Sequence, residues 1–460
     1  MRMATATDQP RYVGLERDDS ELARATLRQV TLRLVPFLFV LFICNYLDRN
    51  NIGIAKLQMR RDLSWLSESA YGFGAGVFFI GYSLLEVPSN LILARVGARR
   101  WMARIMISWG IVASAMMFVR TPLEFYALRF LLGVAEAGFF PGIVYYFGDW
   151  FPARERARAL AWFMTAIPVS AALGNPLSGL LLGLDGRGGL TGWEWVFLVE
   201  GIPSVLLGVA VFAALPDRPS DASWLRAEQR EWLTARIERD REGSGATHGL
   251  PPLRALVHPV ILLASLVYFF AMLSSYSYGF WAPTIVRDAL GASNLTVGLV
   301  TGAMGALSTV TMMVVGAHSD RTGERSRHAA ACIAVAAIGW LGAGLLPHPY
   351  ARVAALALVP AGVYGFLAPF WCMPATVLQG TAAAAGIALV NALGATGGFV
   401  GPYAVGLLKD ATGSTAGSLV GLAATALVTG VLCLALGRVR EPALELPPLI
   451  QLDSSRPGQS

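Results

Sequence analysis

The chain has 460 residues, 55% of them hydrophobic and only 14% charged, with a formal net charge of +6. Soluble domains average about 25% charged residues, so this composition excludes an ordinary globular domain and points to a membrane protein. The positive balance is not a nucleic-acid signal, because the arginines gather in loops on one side of the apolar segments.

Residues 1–30 are polar and mixed in charge, without an apolar core and small-residue cleavage site, and read as a cytoplasmic tail. Twelve apolar segments follow, each long enough to cross a bilayer as a helix. They lie near 33–55, 70–94, 101–119, 123–147, 158–183 and 195–215, then 257–286, 293–317, 329–347, 351–375, 380–408 and 416–437. With the N-terminus inside, 26 of the 36 Lys and Arg residues fall on the cytoplasmic side and 8 outside, Arg49 and Arg129 lying within spans. Both termini are then cytoplasmic.

The fourth segment carries charge where hydrocarbon is expected. Arg129 and Glu136 stand seven residues apart, close to two helical turns, so both project from one face. A charge at the bilayer centre costs about 2.5–3.5 kcal/mol even on the lenient insertion scale, so such residues face a polar cavity and a partner. A buried ion pair that only locks helices together stays open as an alternative. A second charged pair, Asp48-Arg49, sits inside the first segment.

Residues 216–256 form the one charged linker, in which Asp221 to Arg241 reads as a surface helix. Leu225, Trp232, Leu233 and Ile237 share one side, the pattern of an amphipathic connector lying on the membrane. The linker divides the chain into halves at 31–215 and 257–440, with a cytoplasmic tail over 441–460. The halves look like a weak repeat: Asp320-Arg321-Thr-Gly323 follows segment eight, and Ala94-Arg95-Val-Gly97 follows segment two. Duplicated six-helix halves with a midplane site between them are the plan of many secondary transporters.

At these residues the chain resembles the major facilitator superfamily, whose cytoplasmic gate motif is the Gly-x-x-x-Asp-Arg-x-Gly loop at Gly316–Gly323. The first copy departs from it at Ala94, where an acid usually stands, leaving Asp149 with Arg154 and Arg156 as a substitute lock beside Arg95. More narrowly, the chain resembles the anion:cation symporter family and its bacterial tartrate and aromatic-acid permease branch. Four runs carry this: Asn45–Gly53, Gly81–Asn90, Leu131–Gly142 and Gly394–Pro402. The resemblance implies an all-α protein of twelve transmembrane helices in two pseudo-symmetric halves, importing organic carboxylates with protons. It makes Asp48 and Glu136 the proton sites and sets Arg49 and Arg129 against the substrate carboxylate. Ile167, just before Pro168, stands where sugar-acid carriers of the family use a polar residue, which leans away from a heavily hydroxylated substrate.

Arg129 is the foremost candidate anchor, because guanidinium stays charged and grips a carboxylate with two hydrogen bonds. Arg49 is a second candidate, with pairing to Asp48 as its alternative. Tyr46, Tyr82, Tyr276, Trp371 and Asn391 complete the expected substrate site. Glu86 reads as a partner for loop arginines and Glu200 as structural. Asp320 and Arg321 belong to the cytoplasmic gate. No metal constellation, phosphate-binding loop or nucleophile–base pair occurs at membrane depth, so an enzyme and an ATP-driven pump lack support. The expected protein is a proton-driven symporter of a small organic anion, monomeric in the bacterial inner membrane and needing no bound cofactor. An exchanger or exporter of the same fold is the alternative.

Overall fold

The computed structural model describes residues 15–244, 257–374 and 380–444, which are helical apart from short turns. The tail segments 1–14 and 445–460, and linker residues 245–256, lie outside the described residues.

Among the described residues there are sixteen α-helices, fifteen of which build twelve spans. The first span joins α1 (Leu15–Asn50) to α2 (Ile52–Asp62); α3 (Glu68–Val96) and α4 (Ala98–Ala115) follow as spans two and three. Span four is α5 (Pro122–Glu136) and α6 (Phe139–Trp150), and span five is α7 (Ala153–Met164) and α8 (Ala166–Leu181). Helix α9 (Gly192–Ala214) is span six and α10 (Ala227–Ser244) belongs to the linker. The second half comprises α11 (Pro259–Leu290), α12 (Asn294–Thr322), α13 (Ser326–Leu345), α14 (Pro349–Cys372), α15 (Gly380–Thr412) and α16 (Ala416–Leu444).

The packing pattern is two-fold. In the first half α4 lies against α9 and α3 against α5; in the second, α13 lies against α16 and α12 against α14. Between the halves α3 packs along α15, and α8 along α12. Exchanging the halves turns one of these seams into the other, which is the geometry of an internal duplication.

Small residues make the seams close. A Cβ placed on Gly72 would lie 2.5 Å from the Pro402 carbonyl oxygen, and one on Gly298 would lie 2.4 Å from that of Asn175. Without a hydrophobic driving force between helices in lipid, such backbone approach supplies the packing.

Span four is broken where its charges lie. Ala137 leaves the helical region at ψ 131°, and Gly138 turns back at φ +88°, a conformation costly for any residue with a Cβ. The Ser89 hydroxyl donates to the freed Ala137 carbonyl at 2.6 Å. Pro141 falls in the first turn of α6, where its missing N–H leaves no bond unmade.

The linker helix departs from expectation. Its apolar stripe does not face lipid: Leu225, Leu233 and Ile237 are buried in the protein. Gln29 donates to the Trp224 carbonyl at 2.7 Å, Trp150 stacks on Trp224, and Arg33 lies over the same ring. The linker is thus docked on the end of the first half. Sequence periodicity identified the stripe but not what covers it.

Candidate functional site: a central cavity between the halves

The cavity is lined by Phe42, Tyr46 and Arg49 from α1, Phe79 and Tyr82 from α3, Phe140 from α6, and Met164 and Ile167 from span five. The second half contributes Tyr268, Met272, Ser275, Tyr276, Tyr364, Leu367, Trp371, Asn391 and Ala395. Among the described lining residues, Arg49 is the one charged side chain.

Arg49 is held from several sides. Glu136, at the broken end of α5, forms an ion pair with its Nη2. The Nη1 donates to the Tyr276 hydroxyl across the seam at 3.1 Å, and the guanidinium lies 4.9 Å and 5.4 Å from the Tyr46 and Tyr82 ring centroids. Glu136 Oε2 has no hydrogen-bond partner among the described residues, so the carboxylate is satisfied on one side only.

Arg129 is placed differently from the sequence reading. Its Nε and Nη2 donate to the carbonyls of Gly74 and Ala75 on α3, each at 3.2 Å, and its charge lies beside the rings of Phe78 and Phe280. It is buried and does not line the cavity. Arg129 and Glu136 therefore share a helix but not a contact: Glu136 is paired with Arg49 instead.

Asp48, next to Arg49 in sequence, points the other way, as neighbours about 100° apart on a helix must. It accepts hydrogen bonds from Trp109 at 2.9 Å and Ser204 at 2.5 Å inside the first half. Glu200 is buried in the same half and accepts from Ser178 at 2.6 Å. Glu86 meets no loop arginine in the hydrogen bonds and ion pairs described. Its Oε1 accepts from the Asn391 amide at 2.6 Å, linking α3 to α15 at the cavity edge.

The face carrying the 63–67 and 413–415 loops is shut by a network that sequence reasoning missed. Lys56 contacts Glu68 at 2.5 Å, and Lys409 reaches both Glu68 at 2.9 Å and Asp288 at 3.2 Å. Asp410 caps the start of α3 by accepting from the Glu68 and Ser69 amides. Lys56 lies over the Tyr71 and Trp281 rings; the Tyr71 hydroxyl donates across the seam to the Phe280 carbonyl, and the Trp281 indole donates to the Pro402 carbonyl within the second half. The available signal was that both lysines of the chain stand at span ends on this face.

On the opposite face, the gate motif at the end of α12 closes on itself. Gly323 takes φ +69°, and Arg325 donates to Asp320 at 2.6 Å and to Ser319 at 3.0 Å. Arg321, Arg95 and Arg154 are exposed and Asp149 is half-buried. In the first-half copy it is Asp217, just past α9, that accepts from the Arg99 amide at 3.0 Å. Asp217 is thus a local acid beside this first-half loop that sequence inspection did not single out.

Similarity to known proteins agrees with this architecture. A family model described as Major Facilitator Superfamily matches residues 38–402, and again over 264–451. A protein from Agrobacterium vitis named for tartrate transport is 46% identical over 421 residues, covering 91% of this chain and 96% of that one. A quinolone resistance transporter from Acinetobacter baumannii is 40% identical, with 87% and 92% covered. In fold, a D-xylose-proton symporter superposes with a TM-score of 0.68 at 17% identity over 88% of this chain and 96% of that one. An inward-facing bacterial homologue of the lysosomal transporter Spinster gives 0.70 at 16% identity, with 91% and 97% covered. Its twelve spans, its duplicated halves and these matches establish that the chain is a multi-pass membrane transport protein, not an enzyme, and belongs to the major facilitator superfamily.

Proposed function

We propose that the protein is a proton-coupled symporter that carries a small organic carboxylate across the bacterial inner membrane by alternating access. The observation that carries this reading is the Arg49–Glu136 pair at the cavity wall. Arg49 is the cavity's cation, and Glu136 already occupies it. A proton on Glu136 cancels that pairing and frees the guanidinium for the substrate carboxylate, which then restores charge balance. Proton and anion thereby become mutually favourable ligands, which is the thermodynamic content of symport. Asp48, held by neutral donors inside the first half, is the second proton site in this scheme. Tyr46, Tyr82, Tyr276, Trp371 and Asn391 hold the body of the substrate.

The arginine-rich face, with both termini and the linker, is the cytoplasmic one. The network around Glu68 then closes the outer side, and the protein works as a monomer with the proton gradient as its only energy source.

The test uses Glu136→Gln in proteoliposomes with labelled tartrate, phthalate, 4-hydroxyphenylacetate and galactonate. Gradient-driven accumulation should disappear, while counterflow, which needs no net proton movement, continues. Accumulation at the wild-type level in Glu136→Gln would remove Glu136 from the coupling.

A further inference from the structure

Among its described lining residues the cavity holds one cation and many rings. Apart from Arg49, its described polar groups are tyrosine hydroxyls, the Trp371 indole, Ser275 and Asn391, all neutral. The Asn391 amide is already donated to Glu86, so the next ionisable group at the cavity edge is another acid. A ligand with two carboxylates would seat one on Arg49 and bring the second against neutral groups and a carboxyl. A desolvated charge without a partner is strongly disfavoured, and like charges brought together exclude a ligand.

The walls decide the rest of the ligand. Tyr46 and Tyr82 flank the guanidinium face-on, and Phe79 packs against Tyr276, whose hydroxyl is bonded to Arg49. Trp371 packs against Tyr268 on the second-half wall. A carboxylate gripped by Arg49 therefore has its organic body among aromatic faces. A planar ring fills such a slot by stacking, whereas an aliphatic chain forgoes that stacking.

We infer that the cavity selects acids carrying a single carboxylate on an aromatic ring, and rejects diacids and aliphatic hydroxy acids. This rests on the reading of Arg49 as the anion anchor. It separates the chain from what its tartrate-named relative's name implies for that relative, since tartrate has two carboxylates and no ring.

The experiment is calorimetric titration of the purified full-length protein with four sodium salts: 4-hydroxybenzoate, terephthalate, lactate and tartrate. The four differ in ring and in carboxylate number. 4-Hydroxybenzoate should bind at least about tenfold tighter than each of the others. Terephthalate or tartrate binding as tightly, with affinity falling in Arg49→Lys, would overturn the inference and leave Arg49 as the anchor. Lactate equal to 4-hydroxybenzoate would overturn the part played by the ring. Absence of binding by all four, or binding indifferent to Arg49→Lys, would overturn both the inference and the anchor it rests on.

Discussion

In the first half Asp48, Arg49, Glu86, Arg129, Glu136 and Glu200 are all buried within the spans. In the second half, the described buried polar residues are serines and threonines, and the charges Asp288 and Lys409 stand at the rim of the closed face. The duplication preserved the helix plan and let the chemistry diverge. Two hydrogen bonds report the state of the charged half to the neutral one: Arg49 to Tyr276, and Asn391 to Glu86. A neutral half can slide against its partner without breaking ion pairs along the way, so only the rim network and these two bonds need to change. In the proposed mechanism this division places ion exchange in one bundle and shape in the other.

The largest effect that would test this division comes from the two arginines. Arg49→Ala should weaken binding of the transported anion by about a hundredfold or more, since it removes a charge-assisted pair and strands Glu136. Arg129→Ala should instead lower the melting temperature, losing about 1–3 kcal/mol with its two backbone hydrogen bonds, and leave affinity within a few-fold of wild type. Titration and thermal unfolding of both variants decide the matter. Loss of affinity in Arg129→Ala at unchanged melting temperature would reverse the assignment.

A smaller effect concerns the seam. Gly72→Ala sets a methyl group 2.5 Å from the Pro402 carbonyl, so the closed face must part slightly. Counterflow should slow by roughly several-fold while affinity for the anion holds, because packing, not the cavity, is altered. An affinity change larger than the rate change would mean that seam and cavity are not separable.

The smallest effect lies in the 185–191 loop. Arg61 Nη2 lies 3.0 Å from Asp185, and with the Gly192 amide it holds the Asp185 carboxyl below the usual carboxylate range. A lowered folded-state value gives stability that is present above the ordinary carboxylate range and lost as pH falls through the lowered one. Both groups are exposed, so Asp185→Asn should cost at most about 1 kcal/mol at neutral pH and nothing in strong acid. A larger cost would show that this loop couples to the buried charges.

The spans and the halves were legible because length and apolarity report directly on bilayer crossing. The orientation of Arg129 was not. Seven-residue spacing correctly sets it on the face of Glu136, but where its guanidinium ends is decided by a neighbour. At Gly133 a Cβ would lie 2.0 Å from the Phe78 carbonyl, so α3 comes close enough to offer Gly74 and Ala75 as acceptors. Asp48 and Arg49 raise the same difficulty in reverse: adjacent in sequence, they serve different interiors. The break at Gly138 was also hidden, since a glycine that lets a helix approach and one that turns the chain look alike in sequence. Its positive φ shows it to be the second kind.

Lys56 and Lys409 are the only lysines in the chain, and both are folded into the closure around Glu68. Lys56 is 1% exposed. While the halves stay together on that face, a water-soluble acylating reagent finds almost no Lys56 amine to modify. Its rate of modification, followed by mass spectrometry on the untouched sequence, should therefore count openings of that face. The scarcity of lysine makes the protein its own conformational clock, with no engineered label.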